Sequence, residues 1–405
     1  MIKKILILLL FFFFCFGATR YWVGGHPTNN NWNQTGSGTT NWSATSGGAA
    51  GASVPTSTDD VIFDGAGASG NTASTISATI TVLSFTVTSG YTNTITHNAV
   101  LTVAGNVTLN TSYTIDGSSG MTISATSTIT ANSKTWPNVM TWSGANTKTI
   151  SGNLNISGLL TVSSLTTLNQ TGTDTLVLAG GLTNSSGAIS GTARIKLTGG
   201  TWTGGAASAI SNNLDFAGNI TLGTNVAFGG VSSTLTYISG TITTTSSTLT
   251  TANNIIFNTN GITFNNITFA SSSTFTLNSL LTATGNVTVN AGISPTFAGS
   301  YGFNVANLII NNVNAQTVTL NDAATYTITT SLEAYKSRVG AILTITSDHA
   351  SNKAVLTLNQ GATCNLLANL TRIDASGGRT IRTFNGTVTS CTNVQEFHDL
   401  QTIGF

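Results

Sequence analysis

The sequence predicts an all-β protein, a right-handed parallel β-helix (β-solenoid) with an N-terminal cap. Three observations lead there. From Phe216 through Asn321 the chain carries no Asp, Glu, Lys, Arg or His. From Ile80 onward, short period-two apolar patterns are broken every few residues by Gly, Asn or Ser, as in short strands separated by tight bends. A Gly-Asn-aliphatic-polar-aliphatic motif recurs irregularly through the middle. Globular surfaces normally carry interspersed charge, and disordered chains lack the aliphatic and β-branched residues abundant here. Stacked β coils satisfy both constraints, with Thr and Asn facing water or forming ladders while aliphatics fill a narrow interior.

Charged residues make up 6% of the 405, and the formal net charge is +1. That balance leaves no electrostatic footprint for nucleic acid or an anionic membrane. Strong surface helix formers are scarce, so long surface helices are not expected. Length alone suggests two or three domains, but repeat proteins escape that rule.

The chain opens MIKKILILLLFFFFCFGATR. Lys3 and Lys4 form a basic start, and Ile5 to Phe16 an unbroken apolar core, shorter than the ~20 residues a membrane span needs. Gly17 and Ala18 offer a cleavage point. Residues 1–18 are therefore expected to be a signal peptide, giving a secreted or surface-displayed protein with no membrane span after its removal. A retained N-terminal anchor is the alternative, while a lipoprotein at Cys15 is disfavoured by the Phe residues before it.

Residues 19–75 are expected to form a Trp-rich cap, with Trp22, Trp32 and Trp42 evenly spaced. Residues 76–332 read as the charge-poor β-helix. There the repeat appears as GNVTLN (105–110), GNLNIS (152–157), GNITLG (218–223), NNIIFN (253–258), GNVTVN (285–290) and ANLIINN (306–312). Gly or Asn at the bend supplies positive φ, and the following residues form one short strand. Intervals of roughly 20 to 50 residues fit one or two coils per visible repeat better than propeller blades. Residues 333–405 regain charge, including Glu333, Lys336, Arg338, Asp348, Arg372 and Arg382. They are expected to be further coils carrying a capping or contact surface, since a bare solenoid end templates edge-to-edge aggregation.

The run RYWVGG…NWSATSGGAAGASVPTSTDDVIFD resembles the opening module of β-solenoid surface proteins of phages and bacteria, and RIDASGGRTIRTFNGTVTSCTN resembles their closing segment. The NWS…P…DDVIFD portion is also similar to the entry segment of secreted β-helix proteins, including modules of the G8 type. The resemblance covers the first fifty or so mature residues and the last forty. It implies a solenoid with a structural strand entry; no catalytic residues travel with these motifs.

Candidate sites follow from residue type. Asp59, Asp60 and Asp64 are the densest carboxylate group, suited in type to Ca²⁺, although the resemblance implies a strand entry instead. In a strand, Asp60 and Asp64 point one way and Asp59 the other. Gly65, Gly67 and Gly70 fit G-x-G-x-x-G, but the following NTASTISATITV is β-like, where a dinucleotide site needs a helix. Ser347, Asp348 and His349 have triad types, yet as consecutive strand residues they face alternately and cannot form a relay. Cys364 and Cys391 lie close to one coil apart, so they either bridge adjacent rungs or remain free thiols. Asn-x-Ser/Thr sites such as Asn106, Asn219 and Asn286 are as frequent as composition predicts.

β-Helices host polysaccharide lyases and hydrolases, which need paired acids or a base. No acid lies between Asp215 and Asp322, leaving Asp374, Glu396 or Asp399 for such a site. Trp136, Trp142 and Trp202 either stack on sugar rings or fill the core. The leading expectation is a non-catalytic structural or adhesive solenoid, without cofactor, that binds polysaccharide or cell-surface glycans and has scope for homo-oligomers. A phage tail or fibre component and a carbohydrate-active enzyme are the alternatives.

Overall fold

The computed structural model describes residues 17–35, 39–144, 146–164, 167–185, 189–205, 209–223, 225–312, 314–336, 342–384 and 386–397. The expected leader, apart from Gly17 and Ala18, lies outside the described residues, as does Asp399. Every regular element among the described residues is a strand, and these strands, stacked in parallel, make a β-solenoid of about 15 turns. The chain divides into two compact units, Met1–Met121 and Thr122–Phe405.

In the first unit, strand Asp60–Phe63 pairs in parallel with Thr19–Trp22 on one side and Ser84–Val87 on the other. Thr19–Trp22 takes Trp42–Ser43 as an antiparallel partner, and that strand ends the sheet. Here the stack is closed by a fold-back where a further coil would otherwise add. Its underside is aromatic: Trp22, Trp32 and Trp42 are at most 1% exposed. Trp42 meets both Trp22 and Trp32 edge-on at 5.3 Å, and Trp22 stacks on Phe63 at 5.5 Å. Buried indole N–H groups require acceptors; Trp42 Nε1 donates to the Trp32 carbonyl (2.7 Å) and Trp22 Nε1 to the Thr72 carbonyl (3.2 Å). The Trp-rich segment thus packs a buried aromatic cluster at the end of the sheet that Trp42–Ser43 closes.

The second unit holds a 13-stranded sheet running from Thr135–Trp136 to Val388–Thr389, which we call the long sheet. It also holds a 12-stranded sheet from Asn225–Phe228 to Val394–Phe397. Strands Met140–Trp142, Leu160–Val162, Gly181–Asn184 and Thr201–Thr203 belong to a further face. Period-two alternation sends every second side chain inward. On the long sheet Ile156 pairs with Leu178, Leu178 with Leu197 and Leu197 with Phe216, and all four are buried. Farther on, Phe269, Phe275, Phe297, Phe303 and Tyr326 contact one another inside the coil, with successive centroids 4.6–6.3 Å apart. Each such buried aliphatic or aromatic side chain contributes about 1.5–3 kcal/mol.

The repeat motif has a specific task at the bends. Asn153, Asn219 and Asn254 each accept, through Oδ1, a backbone N–H from the next coil: Thr175, Thr241 and Thr274, all at 2.9 Å. Asn266 Oδ1 likewise accepts the Asn286 N–H at 2.8 Å. These bonds satisfy strand-entry donors and clip adjacent coils together. A second corner is packed backbone on backbone. A Cβ on Gly180 would lie 2.3 Å from the Gly158 carbonyl carbon, one on Gly200 would lie 2.4 Å from that of Gly180, and one on Gly240 would lie 2.2 Å from the Gly218 oxygen. Only glycine fits such a stack.

Candidate functional site

The outward face of the long sheet carries a column of polar and charged residues. Its register sets Thr135 beside Asn155, Asn155 beside Val177, Val177 beside Lys196, Lys196 beside Asp215 and Asp215 beside Thr236. Successive rungs stand ~4.8 Å apart, so these side chains form an outward column. Arg194, two residues before Lys196, reaches along the face to Asp215, donating from Nε to Oδ2 (2.5 Å) and from Nη2 to Oδ1 (2.7 Å). The Asp215 side chain is 3% exposed and that of Arg194 46%. A bidentate guanidinium is well suited to a carboxylate so deeply covered.

Beside this pair lies a shallow groove of about 300 Å³ lined by Ser133, Asn153, Asn155, Thr175, Val177 and Lys196. Farther along the sheet a second groove of about 200 Å³ is lined by Ser232, Asn254, Ile255, Ile256, Thr274 and Thr276. Neither lining contains a carboxylate. The grooves offer amide and hydroxyl donors and acceptors at rung spacing, with Lys196 the cation of the first. Such a surface can hydrogen-bond a polyhydroxylated chain lying across several coils.

The sugar-stacking expectation is corrected. Trp136, Trp142 and Trp202 are each fully buried, because they occupy inward positions paired with Ile156, Val162 and Leu222. They are core residues. The disulfide alternative is also corrected: Cys364 and Cys391 are free thiols, each half-buried. Coils near this end are shorter than the spacing between the two cysteines. Cys364 Sγ lies against the Arg382 carbonyl and Cys391 Sγ against the Ile373 N–H, each only 18 residues away. Burial pushes the Cys364 thiol pKa upward, against hydrogen bonding and the nearby Arg379 and Arg382 charges.

The three N-terminal carboxylates are engaged separately. Asp59 accepts the Ala18 N–H (2.8 Å), the Thr56 N–H (2.8 Å) and the Thr56 hydroxyl (2.9 Å). Burial works to raise its pKa, but these bonds and Arg20 outweigh it and hold the carboxyl below its usual range. Asp60 accepts from the Ser84 hydroxyl (2.5 Å) and Asp64 from the Ala66 N–H (3.0 Å). Asp59, immediately before strand Asp60–Phe63, thus ties down the turn that leads into it. Gly65 and Gly67 have φ of +72° and +85°, and they lead to strand Ser74–Ile76.

The Ser347–Asp348–His349 residues diverge. Ser347 is buried, Asp348 accepts from Asn321 Nδ2 and the Asp322 N–H, and His349 Nδ1 accepts the Ser351 and Asn352 N–H groups. Asp374 accepts the Ser376 N–H at 2.9 Å, and the Ser376 bonds draw its pKa down. Among the described residues no three His, Cys, Asp or Glu side chains are grouped to hold a metal ion, and no helix is long and apolar enough to cross a membrane.

Two features escaped the sequence reading. Arg194 and Asp215 are separated by one coil, and only the coil register shows that they meet. Lys148 is buried within strand Thr147–Ser151, where its Nζ donates to the Ala125 carbonyl and to Asn146 Oδ1 (2.7 Å). Burial lowers its pKa to about 8. The alternation in TKTIS, which places Lys148 on the same side as Ile150, was the available signal. No family model, no curated protein and no solved structure matches this chain.

Proposed function

We propose that this chain is a secreted or surface-displayed, non-catalytic β-solenoid that serves a structural and adhesive role and binds polysaccharide weakly along the long sheet. The carrying observation is the pair of shallow, carboxylate-free polar grooves on one sheet face, one of them flanked by Arg194, Lys196 and Asp215. Export is supported by the leader-like MIKKILILLLFFFFCFGATR. Each groove is too open to enclose a small ligand as a catalytic cleft does, so affinity comes from repeated contacts along a chain.

Affinity electrophoresis of the mature protein through gels containing neutral or acidic polysaccharides tests the reading. Retardation by at least one polymer is expected, reduced several-fold in the Asn155→Ala/Lys196→Ala double variant. Unchanged mobility across a broad panel would remove the adhesive role. Release of reducing or unsaturated ends would replace it with an enzyme.

A further inference from the structure

On the C-terminal half of the long sheet the outward positions form a different surface. Thr274 pairs with Thr296, Thr296 with Thr319, Thr319 with Thr346, Thr346 with Thr371 and Thr371 with Thr389. One unbroken threonine column therefore crosses six successive coils, with no register shift in any of these pairings. Two residues before Thr319 and Thr346, Thr317 pairs with Thr344, and Thr344 pairs with Asn369, starting a second column. The side chains between the columns, Val318, Ile345 and Leu370, are buried and back the face rigidly.

The geometry of this surface is a net. Rungs repeat every ~4.8 Å across the strands, and alternate residues repeat every ~6.7 Å along them. Threonine suits a fixed net because its β-branch restricts χ1, so each hydroxyl and methyl holds one direction. The rows from Thr274 to Thr319 lie within the stretch that carries no charge. Towards the C-terminal margin Arg372 donates to Thr346 Oγ1 at 3.1 Å.

We propose that this threonine net is an ice-binding face. Surface oxygens of ice form an electroneutral rectangular net of closely similar repeat, so a neutral array of fixed hydroxyls and methyls is complementary to it in both charge and spacing. A charged side chain would hold its own hydration shell and disturb ordered water at the contact. Crystalline polysaccharide is the competing flat partner, but it is normally gripped by aromatic platforms. The aromatic residues of these rows, Phe275 and Phe297, are buried inside the coil. This inference is argued independently of the polysaccharide reading; the column shares only Thr274 with the second groove and then runs on towards the C-terminal end of the sheet.

The test is ice-affinity partitioning of the full mature protein, together with crystal shaping and thermal hysteresis in a nanolitre osmometer. Wild type is expected to be enriched in the ice fraction several-fold over an inert protein of similar size and to facet the crystal. Thr319→Arg, at the centre of the column, is expected to lose at least tenfold of the hysteresis. Thr250→Arg, on the outward face of the 12-stranded sheet, is expected to retain it. Circular dichroism verifies that both variants are folded. Exclusion of wild type from ice, at the level of the inert protein, overturns the proposal whatever the variants do. Equal activity of Thr319→Arg and wild type also overturns it. Pull-down on crystalline cellulose or chitin that Thr319→Arg abolishes, with no ice activity in wild type, reassigns the face to polysaccharide.

Discussion

Substituting Gly200 by Ala probes the backbone-on-backbone corner directly. Gly200 has φ of +77°, and a Cβ there would lie 2.4 Å from the Gly180 carbonyl carbon and 2.4 Å from the Gly181 nitrogen. Both neighbours are main chain, so no side chain can swing away. The left-handed conformation alone disfavours Ala by about 1–2 kcal/mol. Moving a coil by enough to clear the contact disrupts pairing on its flanks, and together these place the loss at about 3 kcal/mol or more, at or above the top of the ordinary range for a single substitution. For the unit Thr122–Phe405 that corresponds to roughly 5 °C in Tm. Gly361→Ala is the matched control, since nothing lies within 4 Å of its added Cβ; its effect should stay within about 0.5 kcal/mol. Urea titration followed by far-UV circular dichroism measures both. If the two variants unfold at the same urea concentration, the corner does not hold the coils in contact and the packing argument is wrong.

Three further outcomes are expected. Trp42→Ala opens the aromatic cluster and should destabilise the first unit by about 3–5 kcal/mol, read as an early transition in urea; an unshifted curve would mean the cluster is dispensable. His97 is fully buried, and desolvation lowers its pKa from 6.5 to about 4. The unfolded chain therefore binds the extra proton first, so stability present above pH 6.5 is lost as pH falls towards 4, by about 3 kcal/mol. His97→Leu should flatten that slope in urea midpoints taken from pH 7.5 to 4, a window above the acid range in which Asp59 and Asp374 titrate. Because Cys364 and Cys391 are free, both should react with a thiol reagent in the denatured protein without prior reduction, and reductant should leave Tm unchanged.

Much of this architecture was written in local pattern. Alternation such as TVTL and LTIT marks inward and outward positions one strand at a time, and the Asn of each GN motif marks a bend. The even spacing of Trp22, Trp32 and Trp42 set that segment apart from the alternating coils, and in the structure the three rings pack together, buried. What local pattern does not contain is the length of each coil. Cys364 and Cys391 look adjacent only if the coil is long, and the last coils are short. Arg194 and Asp215 look unrelated until one coil is counted between them. The threonine net is invisible for the same reason: each T-x-T is ordinary, and only register aligns six coils of it. The core tryptophans were ambiguous because bulk and aromaticity suit a ligand platform and an interior equally; the inward phase of Met140 and Trp142 resolves them.

The asparagine clips reach forward 20 to 22 residues in every instance described above. Each coil is consequently informed only by its immediate neighbours, as in other one-dimensional repeat arrays. Deleting or duplicating one whole turn leaves every other junction intact and asks only that two new faces meet. Length in such a molecule is adjustable in discrete steps, so tandem gain and loss of segments can set how far it extends without redesigning the ends.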